Sequence, residues 1–165
     1  MIHRKGVLLG LFVILMASCA AMAQEEQRVP TADAPKIFAQ KLLNDTLAKH
    51  KDVIIMAMHV TPPGKKDNEI IASNIGRYGK KADEDDMRVI NTGKSNLEVN
   101  KAGNHFEVEC TLQDSAGKTL GAVGIVFNYK EGADKKALEK NAIAIRDEMK
   151  TQITNKAKLF EAATW

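Results

Sequence analysis

Residues 73–86, SNIGRYGKKADEDD, hold the densest chemistry in the chain. Arg77 and Tyr78 stand between Gly76 and Gly79, two lysines follow, and four acids then fill residues 83–86. A guanidinium can clamp a carboxylate through two parallel hydrogen bonds, and a tyrosine adds a ring wall and a hydroxyl. Asn74, where the segment leaves an apolar run, offers an amide. These residue types suit the roof of a pocket for a small ligand. A phosphate cradle fails on spacing, because Gly76-Arg77-Tyr78-Gly79 does not follow the G-x-x-x-x-G-K-[ST] pattern. A calcium loop fails as well, since no glycine lies where the turn after Asp83 and Asp85 needs one. The plain alternative is a solvated connector whose acids start a helix, where exposed backbone N–H groups favour negative charge.

His59 is the second candidate. It closes the most apolar run, DVIIMAMHV, just before two prolines. Met56 and Met58 precede it and bring haem or copper to mind, but a lone histidine on an apolar strand reads first as a core or rim residue. If a pocket lies at that strand end, His59 can donate to an anionic ligand. His50 and His105 read as surface residues. Cys110 alternates with Phe106 and Val108 on one face of HFEVECTL, so it reads as a buried, inert thiol. Without C-x-x-C-H there is no covalent haem, and neither a metal nor another cofactor is expected. No nucleophile elbow or zinc-protease motif occurs. The enzymatic alternative is a hydrolase-type reaction using His59 with an acid from residues 83–86, which needs those side chains within hydrogen-bond reach.

The elements that must position these residues follow from periodicity. Asp33 can cap a helix with Pro35 in its first turn, and Phe38, Leu42, Leu43 and Leu47 recur at helical steps to about residue 49. Residues 52–60 and 68–73 read as strands, separated by the TPPG stop. A short helix starts at residues 83–86, with Met87 and Ile90 inward, and NTGK ends it. Residues 105–112 and 120–129 form a hairpin around a turn with Asp114 and Gly117. Gly121 and Gly124 inside its second strand indicate close packing or a bulge. Residues 133–160 carry a stripe from Leu138 through Ala142, Ile145, Met149 and Ile153 to Phe160, which defines a long amphipathic helix. That stripe serves packing on its own domain or, on the sharper reading, a homodimer. Hairpin-linked strands with helices on one face argue an α+β antiparallel sheet.

The chain's start points to a compartment. Arg4 and Lys5, an apolar run over residues 7–16 and small residues after it form a secretory signal. Two cleavage readings stand. Ala21-Met22-Ala23 fits cleavage before Gln24, giving a signal peptide over residues 1–23. Residues 16–19, MASC, resemble a lipobox, which puts cleavage before Cys19 and a lipid on its sulfur. The protein is then periplasmic or extracellular, touching a membrane only through that anchor. Residues 24–34 are a polar lead-in, and residues 35–162 form one domain. The whole chain has a formal charge of +3, but removing Arg4 and Lys5 leaves 22 basic against 21 acidic residues. Without a basic block carrying aromatics, nucleic acid is not an expected partner.

The order of elements and the hairpin LQDSAGKTLGAVGIVFNY, with Asp114, Gly117 and Gly121, resemble the extracytoplasmic PAS-like sensory domains called Cache domains. The resemblance covers roughly residues 35–130. It implies about five antiparallel strands, a long N-terminal helix, a short connector helix and a long C-terminal helix, with a ligand pocket on one sheet face roofed by the connector. It also implies a small organic acid or amino-acid-like ligand, for which His59, Asn74, Arg77 and Tyr78 are this chain's candidate contacts, and a membrane-bound signalling partner. The alternative is an envelope structural or interaction protein with no small ligand.

Overall fold

A computed structural model describes residues 32–165. The signal segment, Cys19 and most of the lead-in lie outside the described residues. Helix α1 (Phe38–Lys49) leads into β1 (Val53–Val60) and β2 (Glu69–Ser73). Helix α2 (Glu84–Thr92) follows, then β3 (Asn96–Val99), β4 (His105–Gln113), β5 (Thr119–Asn128), α3 (Lys135–Lys150) and a 3-10 turn, Ala157–Phe160. The five strands form one sheet in the order β2-β1-β5-β4-β3, and every pairing is antiparallel. The first and last long strands, β1 and β5, therefore meet in the middle. Among the described residues no helix is long and apolar enough to cross a membrane.

Alternation divides the sheet into two unlike faces. Met56 and Met58 of β1, Phe106, Val108 and Cys110 of β4, and Val123, Ile125 and Phe127 of β5 are all at most 1% exposed. They join Leu42, Leu43 and Leu47 of α1 and Ala142, Ile145 and Met149 of α3 in one core. Both helices cover this face, while α2 packs across the other against β4 and β5. The α3 stripe is thus consumed by its own domain.

Two helix boundaries differ from the sequence reading. Helix α1 starts at Phe38 without a side-chain cap, rather than after Asp33. Ile37 is drawn into an extended bridge with Ala162, and the Phe38 N–H donates to the Glu161 carbonyl at 2.8 Å. Pro35 accordingly precedes the helix. At the other end, α3 stops at Lys150 instead of running to residue 160. The sequence TQITN that follows is rich in β-branched and short polar residues, which favour leaving a helix. The Ile153 carbonyl accepts from the Ser115 N–H of the β4–β5 turn at 2.7 Å. That exit buries Ile153 and Leu159 completely and lays the last residues along α1. The Ala163 N–H donates to the Lys36 carbonyl at 3.1 Å, and Lys36 Nζ sits 4.0 Å over the Trp165 ring.

The hairpin follows the sequence closely. Asp114 Oδ1 accepts from the Ala116 and Lys118 N–H groups, both at 3.0 Å, and Gly117 takes φ +85°. A Cβ on Gly121 would lie 1.9 Å from the His59 carbonyl oxygen, so only glycine lets β5 lie this close to β1. Strand β3 was not read from the residues themselves. It is short, its outer edge is unpaired, and its alternation gives half-buried and exposed positions only, so no strong apolar signal marks it.

Candidate functional site

The polar face of the sheet and the connector above it enclose a cavity of about 250 Å³, open on one side. Its floor is the alternate set of strand residues: Ile55, Ala57 and His59 of β1, Gly124 and Val126 of β5, Glu107 and Glu109 of β4, and Glu98 of β3. Its roof is the connector, through Arg77, Lys80, Asp83, Asp85 and Asp86. A smaller hollow of about 120 Å³ adjoins it across Ile55, Glu98, Glu107 and Val126 and runs to Asn100 and His105.

Helix α2 holds the roof acids by a capping box. Asp83 Oδ1 accepts from the N–H groups of Asp85 (3.2 Å) and Asp86 (3.3 Å), and Asp86 Oδ2 accepts from the Asp83 N–H at 2.7 Å. This reciprocal arrangement satisfies the orphan donors of the first turn. It also turns Asp86 inward, to 7% exposure, and leaves Met87 outside at 37%. The expected inward Met87 is therefore replaced by Asp86, with Val89 one turn on; Ile90 is half-buried. Gly93 ends the helix in the left-handed conformation.

The four residues proposed from the sequence divide into two pairs. His59 and Arg77 line the cavity. Asn74 does not; its Oδ1 accepts from the Met56 N–H and its Nδ2 donates to the Ile54 carbonyl, both at 2.9 Å. It extends the β2–β1 ladder with a side chain. The Tyr78 hydroxyl donates to the Ser73 carbonyl at 2.9 Å, which ties the connector to the end of β2. The same carbonyl accepts from Gln40 Nε2 of α1 at 3.0 Å. Arg77 is exposed and holds φ +67° directly after Gly76 at φ +73°. A left-handed backbone costs a non-glycine residue about 1–2 kcal/mol, and such strain concentrates where a side chain must be aimed.

A carboxyl-rich interior was not anticipated. Alternation in HFEVECTL sends Glu107 and Glu109 to the face opposite Phe106 and Val108, a face that reads as solvated in sequence. Glu109 is instead 6% exposed. The available signal was Gly124, which pairs with Glu109 across the β4–β5 ladder. A Cβ there would lie 2.6 Å from Glu107 Oε1, so the glycine leaves space for a carboxylate lying over the sheet.

Electrostatics follow from this crowding. Burial first, then the hydrogen bond to Asp86 and the charges of Asp86 and Glu107, pushes the Glu109 carboxyl up to about 9. It is a neutral acid at pH 7, and that proton allows two carboxyls to face each other. Burial also opposes ionisation of Asp86, but the hydrogen bond from Glu109, the Asp83 N–H and His59 outweigh it, so Asp86 stays below its ordinary value. Burial lowers His59 against the pull of Asp86 and Asp83, with Lys80 acting in the same direction as burial. Glu107 is an exposed residue, yet the crowding around its carboxyl, through burial first and then the charges of Glu98, Asp86 and Asp83, raises it. Of the buried side-chain atoms without a hydrogen-bond partner among the described residues, two belong to the cavity lining, Glu109 Oε1 and His59 Nδ1. The latter lies 3.3 Å from Asp86 Oδ2, close enough for charge attraction but not aligned as a hydrogen bond.

His59 and Asp86 thus meet the distance condition set for the hydrolase alternative. The cavity lining includes no Ser, Thr or Cys, so a nucleophile there would have to be a carboxylate, Lys80, His59 or water. Among the described residues no three His, Cys, Asp or Glu side chains converge as a metal ion requires. Cys110 is buried on the opposite face, and burial pushes its thiol up to about 12.

No family model matches the chain, and no curated protein matches it in sequence. Solved structures resemble it in shape. The Agobacterium tumefaciens repressor BlcR is 10% identical, with a TM-score of 0.50 over 82% of this chain and 73% of that one. At that identity the likeness is one of fold. The A. aeolicus nlh2 GAF domain (16% identical, TM-score 0.48, 79% of this chain and 90% of that one) falls just below this level. The PobR inducer-binding domain from Acinetobacter, a double mutant in complex with 3-hydroxybenzoic acid, is 9% identical with a TM-score of 0.46, over 71% and 95%. These two add nothing to the fold assignment.

Proposed function

We propose that the protein is a Cache-like module that binds a small molecule in the cavity between the polar sheet face and the connector, and reports its presence without catalysing a reaction. The observation that carries this reading is the cavity itself, built over a sheet whose other face is packed solid. A buried floor with unpartnered polar atoms at His59 and Glu109 is costly to maintain without an occupant to satisfy it. Its volume of about 250 Å³ lies just below the range of about 300–1,000 Å³ typical of sites for drug-sized ligands, so it suits a compound of metabolite size. Six carboxyl residues line it against Arg77 and Lys80. That balance disfavours a simple organic acid and suits an amino-acid-like ligand, with its amino group inward and its carboxylate at Arg77. We place the protein outside the cytoplasm, freed of residues 1–23 or held by lipid at Cys19, with a membrane-bound partner as the receiver of its signal.

Thermal unfolding against a panel of amino acids, amines, carboxylates and purines tests this. A ligand at one hundred times its Kd adds about 2.7 kcal/mol, and for a domain of this size each kcal/mol raises Tm by about 2–4 °C. The shift is expected to shrink in Arg77→Ala. A cooperatively folded sample that no compound stabilises would transfer the assignment to an envelope interaction protein.

A further inference from the structure

We propose that the buried Glu109–Asp86 pair is a cation-exchange site, at which the ammonium group of a ligand takes the place of the proton that the two carboxyls share. The proposal rests on the ligand-binding reading above and names the chemistry of its innermost subsite. Three observations carry it. The pair is buried but reachable: Glu109 and Asp86 are 6% and 7% exposed, and both line the open cavity. Glu109 Oε1 receives no N–H or hydroxyl from the protein, so it can accept from an incoming donor. His59, 7% exposed beside the pair, carries an unpartnered Nδ1, which supplies another polar contact for the incoming group.

Every element around Glu109 contributes to the balance. Asp83 and Asp86 face it from α2, His59 from β1, Glu107 from its own strand and Glu98 from β3, while Arg77 and Lys80 stand at the connector. With Glu109 protonated the empty site avoids two adjacent buried charges. An ammonium supplies a full positive charge and up to three donors. It stabilises both carboxylates, and the displaced proton leaves to solvent, so the exchange is neutral in charge. The surrounding acids favour the cation, and the single neutral histidine does not oppose it. A divalent metal does not fit the same position, since no three ligating side chains converge there.

The test uses three probes with one carbon skeleton: 1,4-diaminobutane, 4-aminobutyrate and butyrate. Calorimetry of the purified protein in two buffers of different ionisation enthalpy is expected to show one proton released per amine bound. Amine affinity is expected to rise about tenfold per pH unit between about pH 6 and about pH 8, and to level off as pH passes the Glu109 value of about 9. Glu109→Gln, a neutral isostere, should abolish both the proton release and the pH slope while the protein stays folded. Butyrate binding without amine binding would overturn the exchange site and leave the ligand pocket standing. Amine binding without proton release, or unchanged in Glu109→Gln, would overturn it too. If none of the probes binds at millimolar concentration, the exchange site falls; whether the pocket reading falls with it is decided by the wider thermal panel.

Discussion

The two faces of the sheet are made by the same strands and obey opposite rules. On the helix-covered face, Phe106, Val108 and Cys110 of β4 join the β5 residues Ile125 and Phe127 and the apolar side of α3 in one core, and the buried Arg146 of α3 is satisfied by the Thr111 carbonyl and hydroxyl. One residue out of step, Glu107 and Glu109 meet His59, Asp86 and an open cavity. The first face is filled and stabilises the domain through burial. The second keeps carboxyls in a space where ionising them is expensive. The difference shows where stability is generated and where it is spent on a site. Natural proteins tend to break their local rules at functional positions.

The contrast predicts unequal responses to substitution. Phe127→Ala removes a ring that is 1% exposed from the dry face and is expected to cost about 3–5 kcal/mol in urea unfolding. A loss below about 1 kcal/mol would mean that this face is not the stabilising core.

Glu109→Gln should act in the other direction. The folded protein holds a proton on Glu109 up to about 9, whereas the unfolded chain releases it near 4.5. Folding therefore takes up a proton throughout that window. The wild type loses stability from this group as pH rises through the window, and the loss is complete above it. The variant lacks this slope, and at alkaline pH it is expected to exceed the wild type by about 1–3 kcal/mol, as when a buried ionic group is replaced by a neutral one. Equal pH profiles for the two proteins would show that Glu109 is not held neutral.

The smallest effect belongs to Gly124→Ala. Its Cβ meets only the tip of Glu107, whereas at Gly121 a Cβ would strike the β1 backbone. A flexible carboxylate can swing aside, so stability should change by less than about 0.5 kcal/mol. Ligand binding, by contrast, should weaken, because the displaced group moves into the cavity. A large loss of stability with unchanged binding would remove Gly124 and Glu107 from the site.

Legibility in the sequence followed locality. The start of α2 at its run of acids, the Gly93 stop and the Asp114–Gly117 turn are set within a few residues, and the sequence showed them; the Asp83–Asp86 capping box came from the structure. The start of α1 and the end of α3 were misread because Ile37 pairs with Ala162 and Ser115 with the Ile153 carbonyl, contacts between distant segments that no local propensity reports. Of the candidate site, His59 and Arg77 were legible as polar residues at the end of an apolar strand and between glycines. Asn74 and Tyr78 were legible as polar but not as structural ties, because their backbone partners lie on β1 and at the end of β2.

The sequence by itself determined the alternation of β4 and β5, the apolar stripes of α1 and α3, and hence the antiparallel α+β sheet. Each of these is a periodic pattern, and periodicity needs no partner to be read. Only the tertiary structure decided that Glu109, His59 and Asp86 share one enclosure. They come from three elements, β4, β1 and α2, and whether a carboxyl is solvated or held neutral depends on what is folded over it. That covering is the connector, tied by Asn74 to β1, 18 and 20 residues away, and by the Tyr78 hydroxyl to the Ser73 carbonyl at the end of β2, where Gln40 of α1 also bonds.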